Sequence, residues 1–177
     1  MLGTGHRLLN NVIIDARDTG IRIASGHTRE QGGLNQAAGA CLIANNTVVN
    51  AGKIGIWLGS VPSEQAKAIA DRPIAPYENR VVNNIVSGSA GILLKVDRSP
   101  DNEVRHNLLF AVREAEAGTA GEKGVFDDPR FVDAQAGDFR VKPDSPAIGV
   151  GIALDSDGGT ANIGAEGKAT QPWSLPE

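Results

Sequence analysis

Six residues carry most of the chemistry that this sequence offers: Arg22, His27, Lys53, Trp57, Lys95 and Arg98. An indole among guanidinium and ammonium groups suits a sugar chain bearing carboxylate or sulfate, since the aromatic face can stack on a ring while arginine forks onto the acid. Arg22, Trp57 and Leu93 each stand two residues after a glycine, in Gly20-Ile21-Arg22-Ile23, Gly55-Ile56-Trp57-Leu58 and Gly91-Ile92-Leu93-Leu94. The residues on either side are aliphatic, and strand periodicity then turns the aliphatics to one face and Arg22, Trp57 and Leu93 to the other. His27, Arg29 and Glu30 follow the first segment, Lys53 precedes the second, and Lys95 and Arg98 follow the third. The competing reading is that Trp57 packs under residues 60–77 and that the cations are ordinary solvated surface.

Something must hold these segments side by side, and the sequence shows what. The segments Leu8-Leu9-Asn10-Asn11-Val12-Ile13, Ile43-Ala44-Asn45-Asn46-Thr47-Val48, Val81-Val82-Asn83-Asn84-Ile85-Val86 and Val104-Arg105-His106-Asn107-Leu108-Leu109 share one pattern. Their second asparagines stand 35, 38 and 23 residues apart, which indicates a repeat architecture with loops of different length between its units. The column Leu8, Ile43, Val81, Val104 and the column Ile13, Val48, Val86, Leu109 must face inward. An asparagine recurring at a bend can bond the backbone and the next amide in its column, satisfying turn groups that would otherwise be buried without partners. The expectation is an all-β chain: a right-handed single-stranded parallel β-helix of about four to five rungs, with Asn11, Asn46, Asn84 and Asn107 stacked as a ladder at one corner.

Composition agrees. The chain of 177 residues is glycine-rich and only 4% aromatic, which suits short strands and tight turns. Its net charge of −4 argues against nucleic acid, whose binding needs a basic face. No apolar run approaches the ~20 residues of a membrane span. Met1-Leu2-Gly3 lacks the charged and apolar regions of a signal peptide. The lone Cys41 cannot form an internal disulfide and reads as a small buried hydrophobe. Rungs fill residues 1–125, with insertions at 24–39 and 59–77, the second carrying a short helix that starts near Ser63. Residues 113–124 form a charged connection, and residues 126–177 form a closing rung and cap within the same single domain. Because the first rung begins almost at once, its open edge near Leu8, Leu9 and Ile13 invites pairing with another copy of the chain.

The tail carries a more specific signature: Asp128-Pro129-Arg130-Phe131-Val132-Asp133, Gly137-Asp138-Phe139-Arg140-Val141, Ser145-Pro146-Ala147-Ile148-Gly149, Asp155-Ser156-Asp157-Gly158 and Asn162-Ile163-Gly164-Ala165. This run resembles the C-terminal segment of right-handed parallel β-helix proteins of the polysaccharide-lyase type, pectate-lyase-like and chondroitinase-B-like. Asn162 stands where that pattern usually has Asp, and the Arg that commonly follows D-x-D-G is missing. The resemblance implies a secreted or periplasmic parent protein and an acidic polysaccharide as partner. It also implies β-elimination, in which calcium or Arg neutralises a uronate carboxylate while a Lys or Arg removes the C5 proton. Lys95 or Arg98 could match the base by position, although no motif fixes either. Fold alone does not settle activity, so a non-catalytic glycan-binding or assembly module, or a portion of a larger β-helix enzyme, stays open beside a lyase.

Other motifs are weaker. Asp155, Asp157 and Glu166 resemble part of a calcium loop, but Thr160 occupies the position that needs glycine and the fifth position carries no acid. Asp127 and Asp128 read as turn formers. Asn45-Asn46-Thr47 is a glycosylation sequon inside the ladder, where it would be buried. His106 can make the hydrogen bonds of the asparagine it replaces. Ser145 lacks the glycines of a nucleophile elbow.

Overall fold

The computed structural model describes residues 3–24, 38–59, 76–97, 101–112, 114–154 and 160–165. The chain passes through three short strands, turns, and repeats. The first coil is β1 (Arg7–Leu9), β2 (Val12–Ile14) and β3 (Thr19–Ala24), and the second is β4 (Leu42–Ala44), β5 (Thr47–Val49) and β6 (Ile54–Gly59). The third is β7 (Arg80–Val82), β8 (Ile85–Ser87) and β9 (Ile92–Val96), and the fourth is β10 (Glu103–Arg105), β11 (Leu108–Phe110) and β12 (Glu116–Gly118). Corresponding strands pair in parallel to give three four-stranded sheets: β1-β4-β7-β10 (sheet 1), β2-β5-β8-β11 (sheet 2) and β3-β6-β9-β12 (sheet 3). This stacked order is consistent with a parallel β-helix. No helix occurs among the described residues, and the helix expected near Ser63 lies outside them. Residues 114–124, expected as a connection, supply β12 and then bridge Glu122 to Arg105, and Val125 to Leu108 begins a further pass.

The corners explain the repeated asparagines. Asn10, Asn45, Asn83 and His106 all have φ between 52° and 57°, the left-handed region that asparagine tolerates better than most side chains. Each is followed by a ladder asparagine. The Asn11, Asn46 and Asn84 amide nitrogens donate to the Oδ1 of Asn46, Asn84 and Asn107 at 2.9, 2.9 and 3.0 Å. The corresponding backbone N–H groups donate to the same oxygens at 3.1, 3.0 and 3.0 Å. Asn46, Asn84 and Asn107 are fully buried, so this satisfies groups that would otherwise be orphaned at considerable cost.

A second ladder runs parallel to the first. Asn79 donates through both its backbone and its side-chain nitrogen to Asn102 Oδ1, at 2.9 and 3.0 Å. The Cys41 N–H donates to Asn79 Oδ1 at 3.0 Å. Cys41 therefore holds an asparagine position, buried, with its thiol 3.3 Å from the Gly39 carbonyl.

Inside the coils, Ile43, Val81, Val48, Val86, Ile56, Leu58 and Leu94 form the core, all fully buried. Leu93 belongs to this core too, which corrects its expected outward position. Sheet pairing sets Ile54 against Ile92 and Ile56 against Leu94, so Leu93 lies opposite Gly55 rather than opposite Trp57. At this column the strand bends inward: a Cβ on Gly20 or Gly55 would run into the core side chains of Val48 or Val86. The third coil has room there and fills it with leucine.

The tail packs on the outer face of sheet 2. Its hairpin, β13 (Phe131–Asp133) with β14 (Asp138–Val141), brings Phe131 and Phe139 edge to face at 5.2 Å. A second antiparallel pair joins β15 (Gly151–Ile152) and β16 (Thr160–Ala161). Ile85 and Leu108, which point away from the coil interior, make a second core with Ala147 and Ile163, flanked by Phe131 and Val141. Asn83 binds both polar groups of Ile152, donating to its carbonyl at 2.7 Å and accepting from its N–H at 3.0 Å. His106 Nδ1 lies 2.7 Å from the Val150 carbonyl, and Thr47 Oγ1 accepts from the Ala165 N–H at 3.0 Å.

Candidate functional site

The outward column of sheet 3 positions the candidate site. Pairing aligns Arg22 with Trp57 and Trp57 with Lys95, which puts three side chains in a row at the ~4.8 Å strand spacing. The Arg22 guanidinium carbon lies 4.6 Å from the indole centroid and the Lys95 ammonium 5.3 Å from it. The two cations approach from the strands on either side of β6, so the ring is held between them. Contacts of this kind are worth about 0.5–1 kcal/mol at exposed sites and more when desolvated.

Asp97 completes the group. The indole N–H donates to its Oδ2 at 3.3 Å, and its Oδ1 lies 3.8 Å from the Lys95 ammonium. The Asp97 backbone N–H donates to the Leu58 carbonyl at 2.8 Å, which fixes the residue beside β6. A glycine makes the meeting possible: a Cβ on Gly59 would collide with the Asp97 carboxylate and the indole nitrogen. Along the coil axis the face thus reads cation, indole with carboxylate, cation.

Of the other sequence candidates, Lys53 alone falls within the described residues. Lys53 is paired with Asp18 at 3.2 Å, with both side chains exposed, and stands four residues before Trp57, ~13 Å along an extended strand. His27 and Arg98, like Asp155, Asp157 and Glu166, lie outside the described residues. Among the described residues, no group of three or more His, Cys, Asp or Glu could hold a metal ion, and no helix is long and apolar enough to cross a membrane. Asp97 was missed from sequence. Counting eleven residues on from Asn11, Asn46 and Asn84 gives Arg22, Trp57 and Lys95, whereas counting from Gly91 gave Leu93.

No protein family, curated protein or solved structure matches the chain. Function therefore rests on the geometry.

The remaining polar motifs have local partners. Asp127 Oδ1 accepts from the Asp128 N–H at 2.7 Å, and Asp128 Oδ1 accepts from the Arg130 N–H at 2.8 Å, as turn formers do. The Ser145 hydroxyl donates to the Pro129 carbonyl at 2.6 Å and accepts from the Ala147 N–H. Asn45, Asn46 and Thr47 are buried, so the sequon offers no exposed amide. On sheet 1, Glu103 is paired with Arg80 at 2.7 Å and with Arg105. Partial burial opposes ionisation of Glu103, but the two arginines outweigh it and hold its carboxyl below the ordinary value. A cavity of about 100 Å³ lies between the tail and sheet 2, lined by Thr47, Ile85, Phe139, Ile148 and Ile163, away from the sheet 3 row.

Proposed function

We propose that the chain is a right-handed parallel β-helix of the polysaccharide-lyase type whose sheet 3 face binds an acidic polysaccharide. The observation that carries this reading is the Arg22–Trp57–Lys95 row, in which two cations on alternate coils are held against one indole. Charges held by an aromatic spacer keep a fixed separation, and a polyanion laid across the strands can engage both with little further ordering of side chains. The indole acts as the spacer rather than as a stacking platform, because its neighbours are already cations.

Binding without cleavage is the reading this arrangement favours. Elimination requires a base at C5 and a neutralising group at the adjacent carboxylate of the same sugar. Arg22 and Lys95 stand two strand spacings apart, about 10 Å, which suits two acids on one chain better than two atoms of one ring.

Calorimetry at low salt with acidic and neutral oligosaccharides tests the reading. Acidic chains should bind, Arg22→Ala and Lys95→Ala should each weaken them several-fold, and salt should loosen them, since exposed charges are screened within ~8 to 10 Å. Indifference of acidic chains to both substitutions would refute it. Unsaturated-product absorbance that grows with time and disappears in Lys95→Ala would convert the binding module into a lyase.

A further inference from the structure

We infer that the cavity between the tail and sheet 2 is a binding site for a small uncharged carbonyl compound, such as a compact ketone. The cavity holds about 100 Å³, and its walls are the side chains of Ile85, Phe139, Val141, Ile148 and Ile163, with Thr47 and Asn162 as the polar exceptions. None of its described lining residues is ionisable, so a charged ligand would give up its water there without finding a counter-charge. Well-packed interiors keep few voids larger than a water molecule. This one persists although the tail backbone lies hard against it at Gly164, where φ is 98° and a Cβ would run into Ile85 and crowd the Thr47 hydroxyl. It borders sheet 2, so the inference stands apart from the acidic-glycan reading of sheet 3.

The two polar residues decide the class of ligand. Thr47 is 1% exposed, and its Oγ1 accepts from the Ala165 N–H at 3.0 Å, which leaves the hydroxyl proton without an acceptor among the described residues. Asn162 Oδ1 accepts from the Gly149 N–H at 3.0 Å, which leaves the amide N–H groups without an acceptor among the described residues. Buried polar groups are rarely left unpaired, and here two residues with spare donors line one apolar space. A carbonyl oxygen has two lone pairs and no proton, so it can accept from both residues and leave nothing of its own unmet. Water fits less well, because its protons would face mostly hydrocarbon walls. An alcohol would strand its proton in the same way, and a hydrocarbon would leave both donors unmet. The apolar walls then take up the remainder of the molecule.

NMR titration of the full chain, with its isoleucine methyl groups labelled, tests the site; cyclopentanone is the probe and cyclopentane its hydrocarbon control. Cyclopentanone should shift the Ile85, Ile148 and Ile163 methyls saturably and leave those of Ile43 and Ile56, inside the coils, in place. Asn162→Asp keeps an oxygen for the Gly149 N–H and removes the amide donor. It should weaken cyclopentanone about five-fold, the worth of one ordinary hydrogen bond, while cyclopentane stays within about two-fold. Ile148→Trp, at a wall residue that is 38% exposed, should fill the opening and abolish the response of Ile85 and Ile163 to both probes, which keeps the test decisive if Asn162→Asp loosens the tail. No saturable shift, or shifts that spread equally to the exposed Ile14, would overturn the site. An equal effect of Asn162→Asp on the two probes would overturn the carbonyl assignment. Neither result bears on the acidic-glycan reading, whose test lies on sheet 3.

Discussion

Sheets 2 and 3 are built on the same coils and buried on the same side, yet their outer faces have opposite fates. The outward column of sheet 2 ends in Ile85 and Leu108, and the tail covers it with Ala147, Ile163 and the Phe131 hairpin. The outward column of sheet 3 carries Arg22, Trp57 and Lys95, and its two cations are held against the indole. Inward residues decide that the chain coils, because each coil must bury one face of each strand. Outward residues decide how the sides differ: apolar ones recruit more of the chain, and on sheet 3 two cations and a carboxylate gather round one indole.

The sharpest way to break this comparison is to remove the apolar anchor of sheet 2. Leu108→Ala should cost about 2–5 kcal/mol, the usual price of emptying a fully buried leucine site, read as a lowered midpoint in urea. If tail and coils unfold as one unit, the Phe131 environment and the coil signal should move together. A change below about 1 kcal/mol would mean that the tail lies on sheet 2 without stabilising it.

The ladder offers the next test, because it serves all three sheets alike. Asn84 has ladder partners on both sides, so Asn84→Leu should destabilise by about 1–3 kcal/mol through buried backbone and amide groups left unpaired. Asn11, on the first coil and only partly buried, gives its amide to Asn46, and Asn11→Leu should cost measurably less. Equal losses at the two positions would show that the asparagines act only through corner conformation.

Much of this was legible in the sequence, and the failures are instructive. The first ladder could be read because the same residue pair recurs at one corner in all four coils, with His106 the single exception, and that exception keeps the left-handed backbone. The second ladder could not, because Cys41 stands where Asn79 and Asn102 would have announced a third asparagine. The Trp57 row is legible on its first two coils and not on the third, where Gly91 sits two residues out of register with Gly55. Asp97 was invisible for a different reason: its carboxylate reaches the preceding coil only because Gly59 is empty, and no local pattern announces a vacancy one coil away.

Sheet 1 provides a milder contrast, since its outer face carries Arg80, Glu103 and Arg105 in contact with one another. Burial disfavours the Glu103 carboxylate, the arginines favour it more strongly, and its carboxyl titrates below the ordinary 4.5 in the folded chain. A depressed folded value means that the stabilisation is complete above the unfolded value and is lost as pH falls through the folded one. The acid limb of a stability–pH curve below about 4.5 should therefore be shallower in Glu103→Gln. The difference should be about 1 kcal/mol or less, because the pair is partly exposed. An unchanged acid limb would assign the slope to other carboxylates.

The smallest effect belongs to Lys53 and Asp18, and it separates a pair that merely decorates sheet 3 from the group that organises its face. Both side chains are mostly exposed, 71% and 62%, so water screens their attraction and the ordering of two long side chains offsets much of it. A double-mutant cycle with Lys53→Ala and Asp18→Ala should give a coupling of about 0.2–1 kcal/mol, fading in 0.5 M salt, where the screening length falls to roughly half its low-salt value. The same substitutions should leave acidic-glycan binding within about two-fold of wild type, because Lys53 stands ~13 Å from Trp57 along the strand. A coupling above about 1.5 kcal/mol, or a loss of glycan binding as large as that in Lys95→Ala, would extend the proposed binding face to the start of sheet 3 and make Lys53 part of it.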